Sequence, residues 1–331
     1  MSRDTNVEVS FKGKWSTAPA FAVEDRFVVV NGRWVKIATI HDEQWLTGDL
    51  QDPQTCIEQL KRARIGGVQP DIFTFAQKLP NTTPKYSYPM EWDSVAIVKL
   101  PGFQEWWTSL PQVARKNSRR AARRGVVISV QEDLDDRLIR DIVELNNESP
   151  MRQGTPFHHY GKGYDQVKKD QSTHLGRCEF ICAYLGEELI GFLKIVYCGD
   201  FGTLLLLITK PSRQDDRPAN ALIAKAIERC DQKGLSYMVY GKYRYGNQPK
   251  TSLMEFKERN GFSEILVPRY YVPLTVKGAA AMKLRLHRDA VGILPEGVIA
   301  VGRRLRSEWY RLKQSSSALT NDRSAETTVE R

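Results

Sequence analysis

The stretch CEFICAYLGEELIGFLKIVYCGDFGTLLLLITK, residues 178–210, constrains the fold more than any other part of the chain. Its β-branched, aromatic and aliphatic runs at 179–185, 189–197 and 203–209 are broken only by short Gly-bearing turns, which predicts three consecutive antiparallel strands. A helix follows a polar loop: Pro218 opens it, Ala219, Leu222, Ile223, Ala226, Ile227 and Cys230 recur at helical spacing, and Gly234 closes it. Residues 237–240 and 265–274 read as further strands on either side of a short helix over 252–260. This order describes an α+β layer, helices packed on a mostly antiparallel sheet.

Upstream, residues 27–40, FVVVNGRWVKIATI, predict a hairpin whose Asn31-Gly32 pair suits a two-residue type I′ turn. Pro53 starts a helix through Cys56, Ile57, Leu60 and Ala63 that Gly66 and Gly67 end, and extended segments are expected at 71–75 and 95–100. Residues 1–110 therefore read as a smaller N-terminal α+β lobe. From Pro111 the character changes, because Arg115, Lys116, Arg119, Arg120, Arg123 and Arg124 fall on one predicted helix ending at Gly125, followed by an amphipathic helix over 135–147. Residues 111–275 are expected to form the catalytic core, 276–313 a basic helical extension and 314–331 a disordered polar tail.

The 331 residues carry 49 Lys+Arg against 39 Asp+Glu, a formal charge of +10, and 41% hydrophobic content, which excludes fibrous and disordered classes. Five cysteines without a CxxC pair point to a reducing compartment and to no metal site. No apolar run reaches the ~20 residues of a membrane span. The N-terminal residues lack the apolar core of a secretory signal, so a cytoplasmic location is expected, with room for contact at a membrane surface. The density of Arg115, Arg119, Arg120 and Arg123 suggests contact with a polyanion such as tRNA, a nucleotide-linked glycan precursor or anionic lipid, although a solvated helix face has the same composition.

Three features together resemble the GNAT acyltransferase superfamily, and more closely its FemAB-like branch. They are the basic segment RKNSRRAARRG, the strand-loop-helix over 204–234, and Phe256-Lys257-Glu258-Arg259-Asn260-Gly261-Phe262, similar to the F-K-x-x-x-G-F ending of that branch. The resemblance covers about residues 111–275. It implies a GNAT-like fold, with the first lobe as a degenerate half, and transfer of an acyl or aminoacyl group onto an amine without a covalent enzyme intermediate. Acyl-CoA or aminoacyl-tRNA is the implied donor, and a cell-envelope or polysaccharide precursor the implied acceptor.

The phosphate-cradling loop of that superfamily, Q/R-x-x-G-x-G/A, aligns with Gln214-Asp215-Asp216-Arg217-Pro218-Ala219. Gln214 and Ala219 fit, whereas Arg217 replaces the glycine and Pro218 removes an N–H from the turn. Asp215 and Asp216 bring negative charge to that turn; one of them is expected to cap the helix instead. Lys257 stands where many GNAT enzymes have a proton-donating Tyr; as in the FemAB-like branch, a lysine there would stabilise an oxyanion or hold a phosphate.

Residues 146–162 gather Glu, Arg, two His, Tyr and Lys in one loop. An ammonium acceptor must lose a proton before it attacks a carbonyl, so His159 or Glu148 is the candidate base. Arg152 and Lys162 would anchor an anionic group; the alternative is an ordinary loop with a Glu148–Arg152 pair. Tyr240, Lys242 and Tyr243 interleave aromatic and cationic side chains at the end of a core strand, where Lys242 would polarise the carbonyl, Tyr240 or Tyr243 supply the acid, and Tyr243 stack on a donor ring. Asn260 joins the donor-side set through its motif. Two other readings fit the same residues: an acetyl-CoA-dependent N-acetyltransferase with a degenerate loop, and a non-catalytic tRNA or polyanion binder.

Overall fold

The computed structural model describes residues 4–11, 14–152, 154–244 and 250–288. The N-terminal portion lays down β1 (Asp4–Phe11), β2 (Lys14–Val23), β3 (Arg26–Asn31) and β4 (Ile37–Ile40), then α1 (Pro53–Arg62), β5 (Ile72–Ala76) and β6 (Met90–Lys99). Two helices, α2 (Phe103–Ser109) and α3 (Gln112–Arg123), lead to β7 (Val126–Gln131) and α4 (Asp136–Asn147). The two-residue strands β8 (Met151–Arg152) and β9 (Thr155–Pro156) precede α5 (Tyr164–Gln171). The expected strand triplet follows as β10 (Cys178–Leu185), β11 (Glu188–Cys198) and β12 (Phe201–Thr209). The chain continues through α6 (Pro218–Gln232), β13 (Tyr237–Lys242), α7 (Ser252–Arg259), β14 (Ser263–Pro273) and α8 (Val276–Lys283). Residues 289–313 of the expected extension, and the tail, lie outside the described residues.

Twelve strands form one sheet in the order β1-β2-β3-β4-β5-β14-β6-β13-β12-β11-β10-β7, in which only β4–β5 and β12–β13 run parallel. The fold is thus the α+β, GNAT-like arrangement of a large mixed sheet with helices on its faces. Strand β6, from before residue 110, lies between β13 and β14, so the sheet runs without a break from the N-terminal strands into the core. Alternation along β10 assigns its two faces: Ile181 and Ala183 join Trp106, Ala114, Ala121 and Ile223 beneath α2, α3 and α6, while Phe180 and Cys182 join Leu138, Ile142 and Val167 beneath α4 and α5. Gly202 brings α6 close, since a Cβ there would sit 2.4 Å from Cys230 Sγ. A third cluster packs α1 through Ile57 and Leu60 against Phe73, Phe75 and Tyr270.

Two local expectations change. Strands β3 and β4 do form a hairpin, but Asn31 pairs with Ile37, leaving a five-residue loop, 32–36, in place of a two-residue turn. The parallel pairing of β4 with β5 and the bond from Lys36 N to Asp71 Oδ2 (2.9 Å) hold that register. Gly32 is needed there, with φ 101° and no room for a Cβ, which would lie 2.1 Å from Val35 O. The hairpin β1–β2 folds back far enough for Trp15 Nε1 to donate to Asp170 Oδ1 at 2.7 Å.

Candidate functional site

Parallel strands β12 and β13 pair only at Phe201–Tyr237, Gly202–Met238 and Thr203–Val239. Beyond those pairs β12 continues to Thr209, while β13 stays paired only with β6 on its other edge, from Tyr237–Lys99 to Lys242–Val95. The two strands therefore part, leaving a wedge that opens toward their C-terminal ends. On its β12 side the register with β11 shifts between Lys194 and Ile195, so Leu205 falls out of the ladder as a bulge.

At the mouth of the wedge stands the N-terminus of α6. Strand β12 passes through a 3-10 turn, Pro211–Asp216, to Arg217, whose backbone is left-handed (φ 57°, ψ 37°), and the helix begins at Pro218. Arg217 thus adopts the conformation that a glycine would supply, so the substitution leaves the turn intact at a cost of about 1–2 kcal/mol. The expected acidic cap is absent: no side chain caps α6. Asp216, 9% exposed, instead accepts from Arg124 Nη1 at 2.9 Å, and Asp215 lies 3.8 Å from Arg217 Nη2. An uncapped helix N-terminus flanked by Arg124 and Arg217 favours an anion. Arg217 Nε is buried without a partner, Gln214 is exposed with its carbonyl accepting from Arg217 N (3.1 Å), and Ala219 is half-buried in the first turn.

Asn260 lies behind this end of the helix, where it accepts from Asn220 Nδ2 (3.1 Å) and donates to Phe256 O (2.7 Å), locking α7 to α6. Lys257, fully buried, donates from Nζ to Tyr240 O (2.8 Å) and Lys242 O (2.5 Å) with the Tyr240 ring 4.5 Å away. Burial lowers its pKa to about 8. It fastens α7 to the diverging end of β13. Tyr240 packs edge-on against Phe262 (5.6 Å), Lys242 is exposed, and Tyr243 N donates to Ser94 O at 2.9 Å.

Across the wedge, the loop after α4 reaches the end of β12. Glu148 Oε1 accepts from Ser212 N (3.2 Å) and Ser212 Oγ, while its Oε2 is buried and unpartnered. Arg152 donates to Thr209 O (2.6 Å) and Leu145 O (3.2 Å) and stacks on Phe157 with its Cζ 3.9 Å from the ring, so its guanidinium ties the loop to β12. His159 is half-buried beside Phe157, and burial, followed by the Lys162 charge, holds its pKa below 6.5. Lys162 pairs with Asp170 of α5. The structure therefore brings Glu148 and Arg152 to the β12 end and Tyr240, Lys242 and Lys257 to the β13 end. Ser212 and the Arg124–Asp216 pair complete the β12 side; the sequence marks Arg124 and Asp216 for other roles, but no spacing marks Ser212 or the pairing, because the partners are distant in the chain.

On α3, Arg119 and Arg123 are exposed, and Arg115 and Arg120 half-buried. Lys116, Arg119, Ala122 and Arg123 line an open groove of about 540 Å³, and the Arg119 guanidinium lies 5.9 Å from the Trp107 ring.

Residues 109–258 match the family model of the acetyltransferase (GNAT) domain. That match, with the wedge and the uncapped helix at its mouth, makes residues 109–258 similar to an acetyltransferase domain of the GNAT superfamily. Among solved structures, it is similar to L-PGS from Bacillus licheniformis at 14% identity, covering 75% of this chain and 80% of that one with a TM-score of 0.50. A conserved protein of unknown function from Bacteroides thetaiotaomicron VPI-5482 matches at 10% identity over 78% and 86%, with a TM-score of 0.50. FemX matches at 11% identity over 84% and 89%, with a TM-score of 0.49. At these identities the likeness is one of fold. No curated protein sequence matches the chain.

Proposed function

We propose that this protein transfers an acyl or aminoacyl group from an anionic donor to an amine, with a cell-envelope precursor as the acceptor class. The observation that carries the reading is the wedge between β12 and β13 with the uncapped N-terminus of α6 at its mouth. A donor's phosphate would rest on that helix end, beside Arg124 and Arg217, while its carbonyl extends into the wedge.

The chemistry asks the chain for a base, a polariser and a proton for the leaving group. An ammonium acceptor gives its proton to Glu148 or to His159, which is neutral at pH 7 because burial and Lys162 lower its pKa. The freed amine attacks the donor carbonyl, and Lys242 or backbone N–H groups at the bulge of β12 steady the oxyanion. Collapse breaks the bond to the donor's sulfur or oxygen, which takes a proton from Tyr240 or water, while the amide nitrogen gives its remaining extra proton to solvent. The GNAT names among solved structures and L-PGS make an aminoacyl or acyl donor the natural class to assay.

A second reading, an acetyl-CoA-dependent N-acetyltransferase, is favoured by one observation: Arg217 preserves the left-handed turn at which that superfamily holds a pyrophosphate. Thermal unfolding of the full chain with coenzyme A, acetyl-CoA, and charged and uncharged tRNA titrated separately separates the two. A saturable rise with acetyl-CoA selects the second; a rise specific to charged tRNA selects aminoacyl transfer, at about 2.7 kcal/mol for a hundredfold excess over Kd. Response to none of them, with no transfer to any amine, overturns both.

A further inference from the structure

The two most exposed large apolar side chains among the described residues stand on segments that Asp71 ties together. Trp34 is 79% exposed at the tip of the β3–β4 loop, and Val276 is 89% exposed at the start of α8. Although 242 positions apart in the chain, they are drawn together by Asp71, which the two segments share. Its Oδ2 accepts from Lys36 N (2.9 Å) and Lys277 Nζ (3.0 Å), and its Oδ1 from Thr275 Oγ1 (2.9 Å). Gly278 lets α8 lie against this knot, because a Cβ there would stand 1.9 Å from Asp71 O. Asp71 is itself 5% exposed. The knot therefore presents its hydrophobic and cationic groups outward and keeps its carboxylate in.

Charge decides what such a corner fits. The loop tip NGRWVK contributes Arg33 and Lys36, and residues 276–288 contribute Lys277, Lys283 and Arg285, with no Asp or Glu in either segment; Arg288 is paired with Glu91 at 2.7 Å. The Arg33 guanidinium lies 6.0 Å from the Trp34 ring. Leu284 and Leu286, 67% and 51% exposed, extend the apolar edge at the far end of α8. An indole with its polar N–H, beside aliphatic side chains and ringed by cations, matches the headgroup boundary of an anionic bilayer: the rings enter the interface and the cations stay among phosphates. No helix among the described residues is long and apolar enough to cross a membrane, so contact would be made from the surface.

We propose that this corner, Trp34 and Val276 framed by Arg33, Lys36 and Lys277, docks the protein on an anionic lipid surface. The inference stands on the corner alone and holds whichever acyl donor the wedge takes.

The test is flotation of the full chain with vesicles of phosphatidylcholine alone and of equal parts phosphatidylcholine and phosphatidylglycerol, at low and high salt. Binding is expected only to the second kind, and to weaken as salt screens the cations. Arg33→Glu is expected to weaken it at least about fivefold, the size of one charge at such a surface. Trp34→Ala and Val276→Ser should each weaken it too, with Trp34→Phe restoring part of the Trp34→Ala loss. Both side chains are exposed, so the variants keep the parent's unfolding temperature, which separates lost docking from lost folding. Absence of binding, equal binding to both vesicles, or binding indifferent to Trp34→Ala, Val276→Ser and Arg33→Glu overturns the proposal. The last result would mean that another face, or a protein occupant such as residues 289–331, takes the corner.

Discussion

Asp216 Oδ1 accepts a 2.9 Å hydrogen bond from Arg124 Nη1, joining the turn before α6 to the end of the basic helix α3 across 92 residues of chain. The pair sets the charge at the mouth of the wedge. Arg124→Ala leaves the carboxylate unpaired beside the helix N-terminus, and Asp216→Asn removes it. Titration calorimetry with inorganic pyrophosphate is expected to show binding weakened in the first variant and strengthened in the second, each by about two- to fivefold, the scale of one charge at a helix end. Shifts of the same sign in both would show that the anion does not sit there.

Arg217 holds a left-handed backbone that costs an L side chain about 1–2 kcal/mol. Arg217→Gly is expected to leave stability within about 1 kcal/mol of the parent, because relief of strain offsets the greater freedom of the unfolded glycine. A β-branched residue at the same position, Arg217→Val, should lower it further, since its stiff side chain tolerates that conformation least. Urea denaturation of the two variants reads the difference directly; equal losses would contradict the strain.

Lys257 and Lys194 share an unusual state. Both are fully buried, and burial lowers each from 10.5 to about 8. Between about pH 8 and 10 the unfolded chain therefore binds more protons at these sites than the folded one, so their contribution makes stability rise with pH across that window. Below pH 8 both states are protonated, and the contribution no longer changes with pH. Lys257→Met and Lys194→Met should each flatten the rise, measured as urea midpoints against pH. An unchanged slope in both would refute the burial cost.

Glu179 behaves in the opposite sense. Burial raises its pKa, but Arg229 (2.7 and 2.9 Å), the Tyr197 hydroxyl (2.7 Å) and Lys233 (3.0 Å) outweigh that and hold it at about 2. The stabilising contribution is present above 4.5 and is lost as pH falls from there toward 2. Arg229→Met leaves a carboxylate that is 1% exposed short of its main partner, which is expected to cost about 3 kcal/mol near neutral pH and to steepen acid unfolding. A loss under about 1 kcal/mol would mean that Lys233 and Tyr197 suffice.

Much of the core was legible from periodicity alone. The three strands 178–209 and helix α6 appear within a few residues of where alternation and helical spacing put them, because those patterns record which side chains must leave water. The N-terminal hairpin β1–β2 was not legible, since half of its described side chains are exposed and the alternation of Val7 and Val9 with Glu8 and Ser10 is short. At the site, the sequence marked the loop 146–162 and the turn before α6 as chemically dense, yet it suggested an acidic helix cap where the structure has an ion pair with Arg124.

By itself, then, the sequence determined the local elements, the basic character of α3 and the order of motifs that defines the superfamily. Tertiary structure alone decided that β6 enters the sheet between β13 and β14, that Lys162 turns to Asp170, that Arg152 clasps backbone carbonyls, and that Asp71 ties the loop of Trp34 to the start of α8. The reason is physical. Burial periodicity is a property of neighbours along the chain, whereas the partner of a charge or the neighbour of a strand edge is chosen among all segments that folding brings within a few ångströms.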